Sequence, residues 1–370
     1  MDRIEVTYRI RPTPGDMPDA YAQRLAREQT VELPDGTYPA RLERISVGAV
    51  ESVTAAGAGL WDVVITYASW LADGVPQLLN LAFGNASLLG TVQLRDVRVP
   101  SGFARGVTGP HFGIAGLRRL IDRAGPILLS AAKPIGLDSH ELASRCAALA
   151  RGGIDLIKDD HGLSNQHSAP FDERVARCVD AVEQANRETH GRALFLPNVT
   201  APLDEMRGRM QRARELGCRA VVVSPFLAGL DTVRWLAQTG EVAVVTHPAF
   251  GAAASVPGQG VAPRFLFGSL LRLLGADGAI VIGAEGRFPV AESDARDIVE
   301  ALKEERGSVL PSLPILGGGV DVAQAPRWAA EYGPDVGLLV GSSLYEQGDL
   351  EAAARRLVSA VRRETGGGTA

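Results

Sequence analysis

From about residue 127 onward, short apolar runs alternate with longer amphipathic stretches. Eight runs have the length and composition of strands: Ile127–Ala132, Asp155–Lys158, Ala193–Asn198, Ala220–Val223, Val242–His247, Ala279–Ile282, Pro314–Gly317 and Gly337–Val340. Between them, segments such as HELASRCAALARGG, DERVARCVDAVEQANRETHG, LDEMRGRMQRARELGC and SDARDIVEALKEER place apolar residues three and four apart. That is the period of a helix with one buried face. Several of these segments close on glycine, which accepts the left-handed backbone at a helix end. Strands alternating with helices in this way build parallel sheets. Eight units predict an α/β fold, a (β/α)8 TIM barrel. A doubly wound open sheet is the alternative, but no GxGxxG opens a first βα unit, as it would in the dinucleotide-binding form of that fold.

The first 105 residues follow a different rhythm. IEVTYRIRP alternates as a strand does, MPDAYAQRLAREQTVE has helical spacing, ARLERISVGAV and LWDVVITYA read as further strands, VPQLLNLAFG as a helix and TVQLRDVRVP as a closing strand. The order is not a simple βαβ repeat, so a small α+β domain of ferredoxin-like type is expected over residues 1–110. The barrel then takes 111–365, SGFARGVTGPHFG is the connection, and GGGTA at 366–370 is a disordered tail. A total of 370 residues suits one barrel of about 250 residues with a domain of about 100 beside it.

Composition removes several classes of function. The net charge is −5, so the basic footprint of a nucleic-acid-binding protein is missing. The N-terminal MDRIEVTYRIRPTPGD has no apolar core of signal-peptide type, and no run of about 18 uncharged apolar residues occurs to cross a membrane. Cys146, Cys178 and Cys218 are far apart and form no CxxC pair. Buried free thiols in a reducing cytoplasm are the expectation.

One bias is sharper. Of 38 basic residues only Lys133, Lys158 and Lys303 are lysine; the other 35 are arginine. Arginine stays charged, whereas a buried lysine can lose its proton and act as base or nucleophile. Lys303 lies in the charged amphipathic ALKEERG and needs no special reason. Lys133 and Lys158 fall at the C-terminal ends of the first two barrel strands, the face where barrels of this class carry their chemistry. Asp159, Asp160 and His161 follow Lys158, Asn198 ends the third strand, His247 the fifth, Gly317–Gly318–Gly319 the seventh and Gly341–Ser342–Ser343 the eighth. Bland readings stand beside these. Lys133 could be a solvated loop lysine, KDDH a solvated turn and His247 a packed histidine. Asp159 points away from its neighbours along a strand and could serve only as a cap or salt bridge. His111, His140, His167 and His190 lie in loops or on polar faces. The glycine runs could be plain turns, but two of them after adjacent strands suit a nest of bare backbone N–H groups for phosphate.

GGIDLIKDDHG resembles the GGxDFxKDDE stretch of RuBisCO, and LSAAKPIGL its IIKPKLGL stretch; GPHFGI and Phe83–Gly84–Asn85 are further landmarks. The resemblance runs from VTYRI to the glycine after the eighth strand and identifies the chain as RuBisCO-like. It implies that Lys158 takes up CO2 as a carbamate and becomes a metal ligand, that Asp160 is a second ligand, and that Mg2+ is the ion. It further implies that Lys133 transfers a proton, that Asn198 stands beside the metal site, and that His247 belongs to the same catalytic group. Gly318, Gly319 and Gly341, with Ser342, would bind phosphate. Glu28 and Asn85 would reach the active site of a partner subunit, in a head-to-tail homodimer or higher homo-oligomer with composite sites.

The departures point away from carbon fixation. His161 replaces the third carboxylate ligand and becomes the third candidate metal ligand, although imidazole suits softer divalent ions than magnesium. Ile135 stands in place of the second lysine of KPK, Pro248 replaces an arginine, and Gly317 replaces a serine. GADGAIVIGAEGRF lacks both the expected histidine and the mobile-loop lysine. The missing arginine, histidine and serine belong to one of two phosphate sites. A small phosphorylated substrate with a single phosphate is therefore expected, and an enolase-type reaction that removes a proton next to its carbonyl. Among RuBisCO-like activities this fits 5-methylthioribulose 1-phosphate isomerase. The alternatives are a decarboxylase or transcarboxylase/hydrolase acting on 3-oxo-isoapionate 4-phosphate, and a non-catalytic metabolite-binding homologue.

Overall fold

The computed structural model describes residues 2–101, 103, 107–283, 288 and 290–366. Residues 367–370 of the expected tail 366–370, and parts of the connection and of the loop after the sixth barrel strand, lie outside them. In β1 (Arg3–Ile10) every second side chain is buried, so Ile4, Val6, Tyr8 and Ile10 form one apolar face. The chain continues through α1 (Pro18–Glu28), α2 (Ala40–Ile45), β2 (Ala49–Gly57), β3 (Leu60–Ala68), α3 (Val75–Phe83) and β4 (Val92–Arg98). β1 lies between β3 and β4, antiparallel to both, and β2 flanks β3. Apart from α2 this is the βαββαβ order of a ferredoxin-like domain.

ARLERISVGAV corrects one expectation. Its first half is α2, a helix with no buried residue that starts after Pro39, and the strand begins only at Ala49. Ala, Arg, Leu and Glu are good helix formers, and among the described residues no strand pairs with this segment to force it into extended form. Gly48 marks the switch: a Cβ there would meet the Tyr67 ring at 2.5 Å.

The barrel opens with α4 (Gly113–Ile121). It proceeds through β5 (Ile127–Ala132), α5 (Ser139–Arg151), β6 (Leu156–Asp159), α6 (Phe171–Thr189), β7 (Leu194–Leu196), α7 (Leu203–Glu215), β8 (Ala220–Val223), α8 (Pro225–Ala228), α9 (Asp231–Gln238) and β9 (Ala243–Thr246). The chain then leaves the barrel. β10 (Ser255–Val256) and β11 (Gln259–Val261) extend the N-terminal sheet, with β11 parallel to β4. Residues 251–270 thus group with 1–108, while 109–250 and 271–370 form the second unit. The sequence assigns all of 111–365 to the barrel. The excursion is invisible there because a two-residue and a three-residue strand carry no periodicity; they are held by pairing with the edge of β4.

α10 (Leu270–Leu274), β12 (Gly278–Ile282), α11 (Glu292–Lys303), β13 (Leu313–Gly317), α12 (Ala325–Tyr332), β14 (Gly337–Leu339), α13 (Ser342–Tyr345) and α14 (Leu350–Glu364) complete the chain. The parallel order is β7-β6-β5-β14-β13-β12-β9-β8. β7 and β8 close the ring, since Val222 N–H donates to Pro197 and Val199 N–H to Val222, both at 2.9 Å. All eight barrel strands expected from the sequence are present, two with the expected bounds and the others with ends shifted by at most two residues.

The closed end is packed. Ile114, Leu117, Leu120 and Ile121 of α4 join Leu129, Leu156, Leu196, Val222, Val245, Ile280 and Ile315 of the strands in one cluster. Burying a side chain of this size contributes about 1.5–3 kcal/mol, so α4 is a plug that directs chemistry to the opposite mouth. Buried Asp277 anchors it, accepting from Phe112 N–H at 2.6 Å, Gly113 N–H at 2.8 Å and Val244 N–H at 2.8 Å. Among the described residues no helix is long and apolar enough to cross a membrane.

Candidate active site

Alternation along β6 sorts its last residues. Lys158 is 1% exposed, and its ammonium donates to its neighbour's carbonyl, Asp159 O, at 2.8 Å. Burial is the main influence on it and lowers its pKa to about 8; Lys133 pushes the same way, against the nearby carboxylates. Asp160, just beyond the strand, pairs with the Lys133 ammonium and accepts from the backbone N–H and Nδ1 of His161, both at 2.8 Å. Burial alone would raise its pKa. His161, Lys158 and Lys133 outweigh burial and hold the carboxylate well below the usual range.

Asp159 points the other way. It is fully buried against Arg174, whose Nε and Nη2 reach its two oxygens at 3.1 and 3.2 Å. It also accepts the backbone N–H of Asn198 at 3.0 Å. The salt-bridging role open to it in the sequence is the one it plays.

His247 follows β9, and His161 follows β6, three strands away around the ring. Their rings stack across the mouth with centroids 4.2 Å apart and planes inclined by 11°. His247 Nδ1 accepts from Ala249 N–H at 3.2 Å. That bond requires an unprotonated Nδ1. Burial, then the neighbouring Lys158 and His161, lower the His247 pKa to about 2, so the ring is neutral with its proton on Nε2.

Asn198 is 1% exposed. Its amide nitrogen donates to His161 O at 3.1 Å and Leu163 O at 2.8 Å, and its oxygen accepts from Thr200 N–H at 3.1 Å and Thr200 Oγ1 at 2.6 Å. The side chain expected beside a metal thus spends its whole bonding capacity on the backbone of the loop that carries Asp160 and His161 and on Thr200 of its own loop. On the β14 side, Lys133 Cε lies 4.0 Å from where a Cβ on Gly341 would stand. Gly318 and Gly319 have φ of 84° and 136°, a backbone that side-chain-bearing residues rarely adopt, and Ser342 opens the short α13. Lys133, Lys158, Asp160, His161 and His247 are thus gathered at one mouth, with Asn198 behind them. Glu28 and Asn85 lie in the N-terminal unit, where Asn85 Nδ2 donates to Glu28 Oε1 at 3.0 Å.

Two residues that hold this site were not singled out in the sequence. Arg174, besides Asp159, donates to Ala169 O at 2.6 Å and Ser164 O at 2.8 Å. Arg209 donates to Ser164 Oγ and Thr200 O, both at 2.8 Å. A signal for the first existed: Arg174 falls in register with Phe171, Val175 and Cys178 on the buried stripe of α6, where a charge needs a partner.

The family model for the ribulose bisphosphate carboxylase large chain, catalytic domain, matches residues 113–349. The chain belongs to the RuBisCO large-chain family. A relative, 5-methylthioribulose-1-phosphate isomerase of Rhodospirillum rubrum, is 35% identical over 356 residues, covering 94% of this chain and 93% of the relative. A 2,3-diketo-5-methylthiopentyl-1-phosphate enolase of Geobacillus kaustophilus is 33% identical over 74% of this chain and 68% of its own length. The crystal structure of a RuBisCO-like protein from Rhodopseudomonas palustris superposes with a TM-score of 0.86 at 35% identity, covering 98% of both chains. A dimeric archaeal RuBisCO from Hyperthermus butylicus superposes with a TM-score of 0.88 at 25% identity over 100% of this chain and 92% of its own.

The donor chemistry of this RuBisCO-like mouth fits a divalent cation with one addition. Among the described residues no three His, Cys, Asp or Glu side chains are gathered to hold a metal ion. Asp160 supplies one anionic oxygen donor. A lysine lowered to about 8 has an appreciable neutral fraction near neutrality, and a neutral amine can add CO2 to become a second. Lys133 now pairs the carboxylate that such a cation would neutralise.

Proposed function

We propose that this RuBisCO-like chain is an enolase-type sugar-phosphate isomerase that removes a proton next to the carbonyl of 5-methylthioribulose 1-phosphate. The observation that carries this reading is the convergence of Lys133, buried Lys158 and Asp160 at the open end of the barrel. The relatives that act on methylthio-pentose phosphates support it.

Lys133 is 32% exposed in its side chain and faces incoming substrate, whereas Lys158 is sealed beneath it. Asp160 remains a carboxylate throughout the working range and pairs with the Lys133 ammonium. Lys133, in its neutral form, accepts the proton at Nζ. Asp160, the carbamate of Lys158 and His161 would hold the divalent ion, Mg2+ or a softer metal, which when bound stabilises the enediolate oxygens electrostatically. Neutral His247 offers Nε2–H as a hydrogen-bond donor to a substrate oxygen. The backbone around Gly318, Gly319, Gly341 and Ser342 would bind the single phosphate.

The same reading places Glu28 and Asn85 in a partner's site within a homodimer or larger homo-oligomer, and the chain in the cytoplasm, where its three buried, unpaired thiols are compatible with a reducing environment. Incubation with 5-methylthioribulose 1-phosphate and divalent ions, followed by NMR in deuterated solvent, tests it. Deuterium entry at the carbon next to the carbonyl, with isomer formation, is expected. No exchange with any divalent ion would overturn it. With ribulose 1,5-bisphosphate and labelled CO2, no label should enter 3-phosphoglycerate.

A further inference from the structure

The loops around the mouth are unequal in charge. Residues 134–138 after β5, 160–170 after β6, 197–202 after β7, 224–230 after β8 and 247–250 after β9 contain no lysine or arginine. Two arginines reach this arc from helices, Arg174 and Arg209, and both are buried with their guanidinium groups bonded to the loops themselves. Among the described residues these loops therefore offer, beyond Lys133 and Lys158, no cation to a second anionic group. It offers apolar surface instead. Ile135 is 53% exposed and Phe250 70% exposed.

Both flank the stacked imidazoles. Ile135 Cδ1 lies 3.6 Å from where a Cβ on Gly162 would stand, next to His161. Phe250 is three residues past His247, at the end of the turn whose Ala249 N–H bonds the His247 ring. Phe250 also has φ of 71°, a conformation that a bulky side chain adopts only against steric cost. Such strain persists where something compensates it, and it clusters at ligand-binding positions. Burial does not compensate it here, since most of the ring faces solvent.

We propose that Ile135 and Phe250 are specificity-determining residues that receive an uncharged, apolar end of the substrate beside the stacked imidazoles, while the glycines of β13 and β14 take its phosphate. This rests on the proton-abstraction reading for the orientation of the substrate. It adds which side chains select the far end, and against what. A substrate with a second phosphate or carboxylate would meet neutral imidazole and hydrocarbon there. A thioether or alkyl end would remove both side chains from water.

Calorimetric binding of a series from methyl to pentyl phosphate tests this without turnover. In the wild-type protein affinity should rise about three- to fourfold per added methylene once the chain reaches the wall, the increment expected for burying one CH2. Pentane-1,5-diol bisphosphate should bind no tighter than methyl phosphate. Ile135→Ser and Phe250→Ser should flatten the series while leaving methyl phosphate affinity unchanged. Phe250→Asn, which a left-handed backbone accepts more readily, provides the same test should the serine variant fold poorly. A series that is flat in the wild type, or equally steep in the variants, overturns the proposal. So does conversion of a wild-type oligomer to monomer by these substitutions, because the side chains would then cover a neighbouring subunit. Lys133→Ala should keep the steep series, so failure of the proton-abstraction chemistry and failure of the specificity wall give different results.

Discussion

Arg174 grips Asp159 with two guanidinium nitrogens, at 3.1 and 3.2 Å, and neither side chain has any solvent exposure. The pair stands directly behind Lys158 and Asp160. It fixes which way the strand end faces, and through Ser164 O and Ala169 O it fixes the loop that follows. Removing one partner leaves a buried charge uncompensated. Arg174→Met should therefore cost about 3–5 kcal/mol of stability, and Arg174→Met combined with Asp159→Asn should cost less than the sum of the single changes. Chemical denaturation of the four proteins of this cycle measures the coupling. Additive losses would show that the pair contributes nothing as a pair.

Lys133 and Lys158 should fail in different ways. Lys133→Arg keeps the charge beside Asp160 but removes a group able to give up its proton. Turnover and solvent-deuterium exchange should both fall by about 10²–10⁴-fold, with substrate affinity changed much less. Lys158→Ala should weaken divalent-ion binding as well as catalysis. Steady-state kinetics and metal titration of both variants distinguish these outcomes. Full turnover by Lys133→Arg would remove the proposed base.

The pKa of Lys158, lowered to about 8, sets a direction for the proposed uptake of CO2. Below that value the neutral amine increases about tenfold per pH unit, and its addition to CO2 releases a further proton, so carbamate formed at fixed dissolved CO2 should rise steeply between about pH 6 and pH 8 and go on rising above that until the site is saturated. Carbon-13 NMR with labelled CO2 detects the adduct. Lys158→Met should abolish it, and Lys133→Met should leave it.

His247 makes the structure sensitive to acid. Its folded pKa is lowered to about 2 from 6.5, so below about pH 6.5 the unfolded chain binds a proton that the folded one refuses. Stability from this group is fully present above pH 6.5 and is lost progressively as pH falls from there toward 2. His247→Gln should flatten that part of the stability profile. Its ring protons should meanwhile show no titration between about pH 5 and pH 8 in wild-type NMR spectra.

The proposed sharing of active sites predicts complementation. A Lys133→Ala subunit and an Asn85→Ala subunit, each inactive alone, should recover part of the activity in mixed oligomers. No recovery in verified mixed oligomers would mean that Asn85 acts within its own subunit or not at all.

The barrel was legible in the sequence because its signal is local and repeated. β5 to β9 and β12 to β14 are short apolar runs between helices of constant period, and each was recognisable without knowing its neighbours. Rarity made the two lysines stand out, since a chain that otherwise uses arginine kept them at two strand ends. What lay outside local pattern was missed. ARLERI has the hydrophobicity of a strand but no sheet partner, so helix propensity prevailed. β10 and β11 exist only through pairing with β4.

At the site, the sequence by itself determined which side chains stand at the mouth: a strand has period two, so Lys158 and Asp160 must share a face and Asp159 must oppose them. Tertiary structure alone decided what each of them does. Asp159 could be recognised as half of a buried ion pair only once α6 had laid Arg174 against it. Asn198 turned out to bond the loop backbone on both sides of its amide. His161 and His247, 86 residues apart in the chain, became a stacked pair because β6 and β9 arrive three strands apart on one closed ring. Spacing along a chain encodes direction, whereas distance, desolvation and charge pairing arise only when separate segments are brought together.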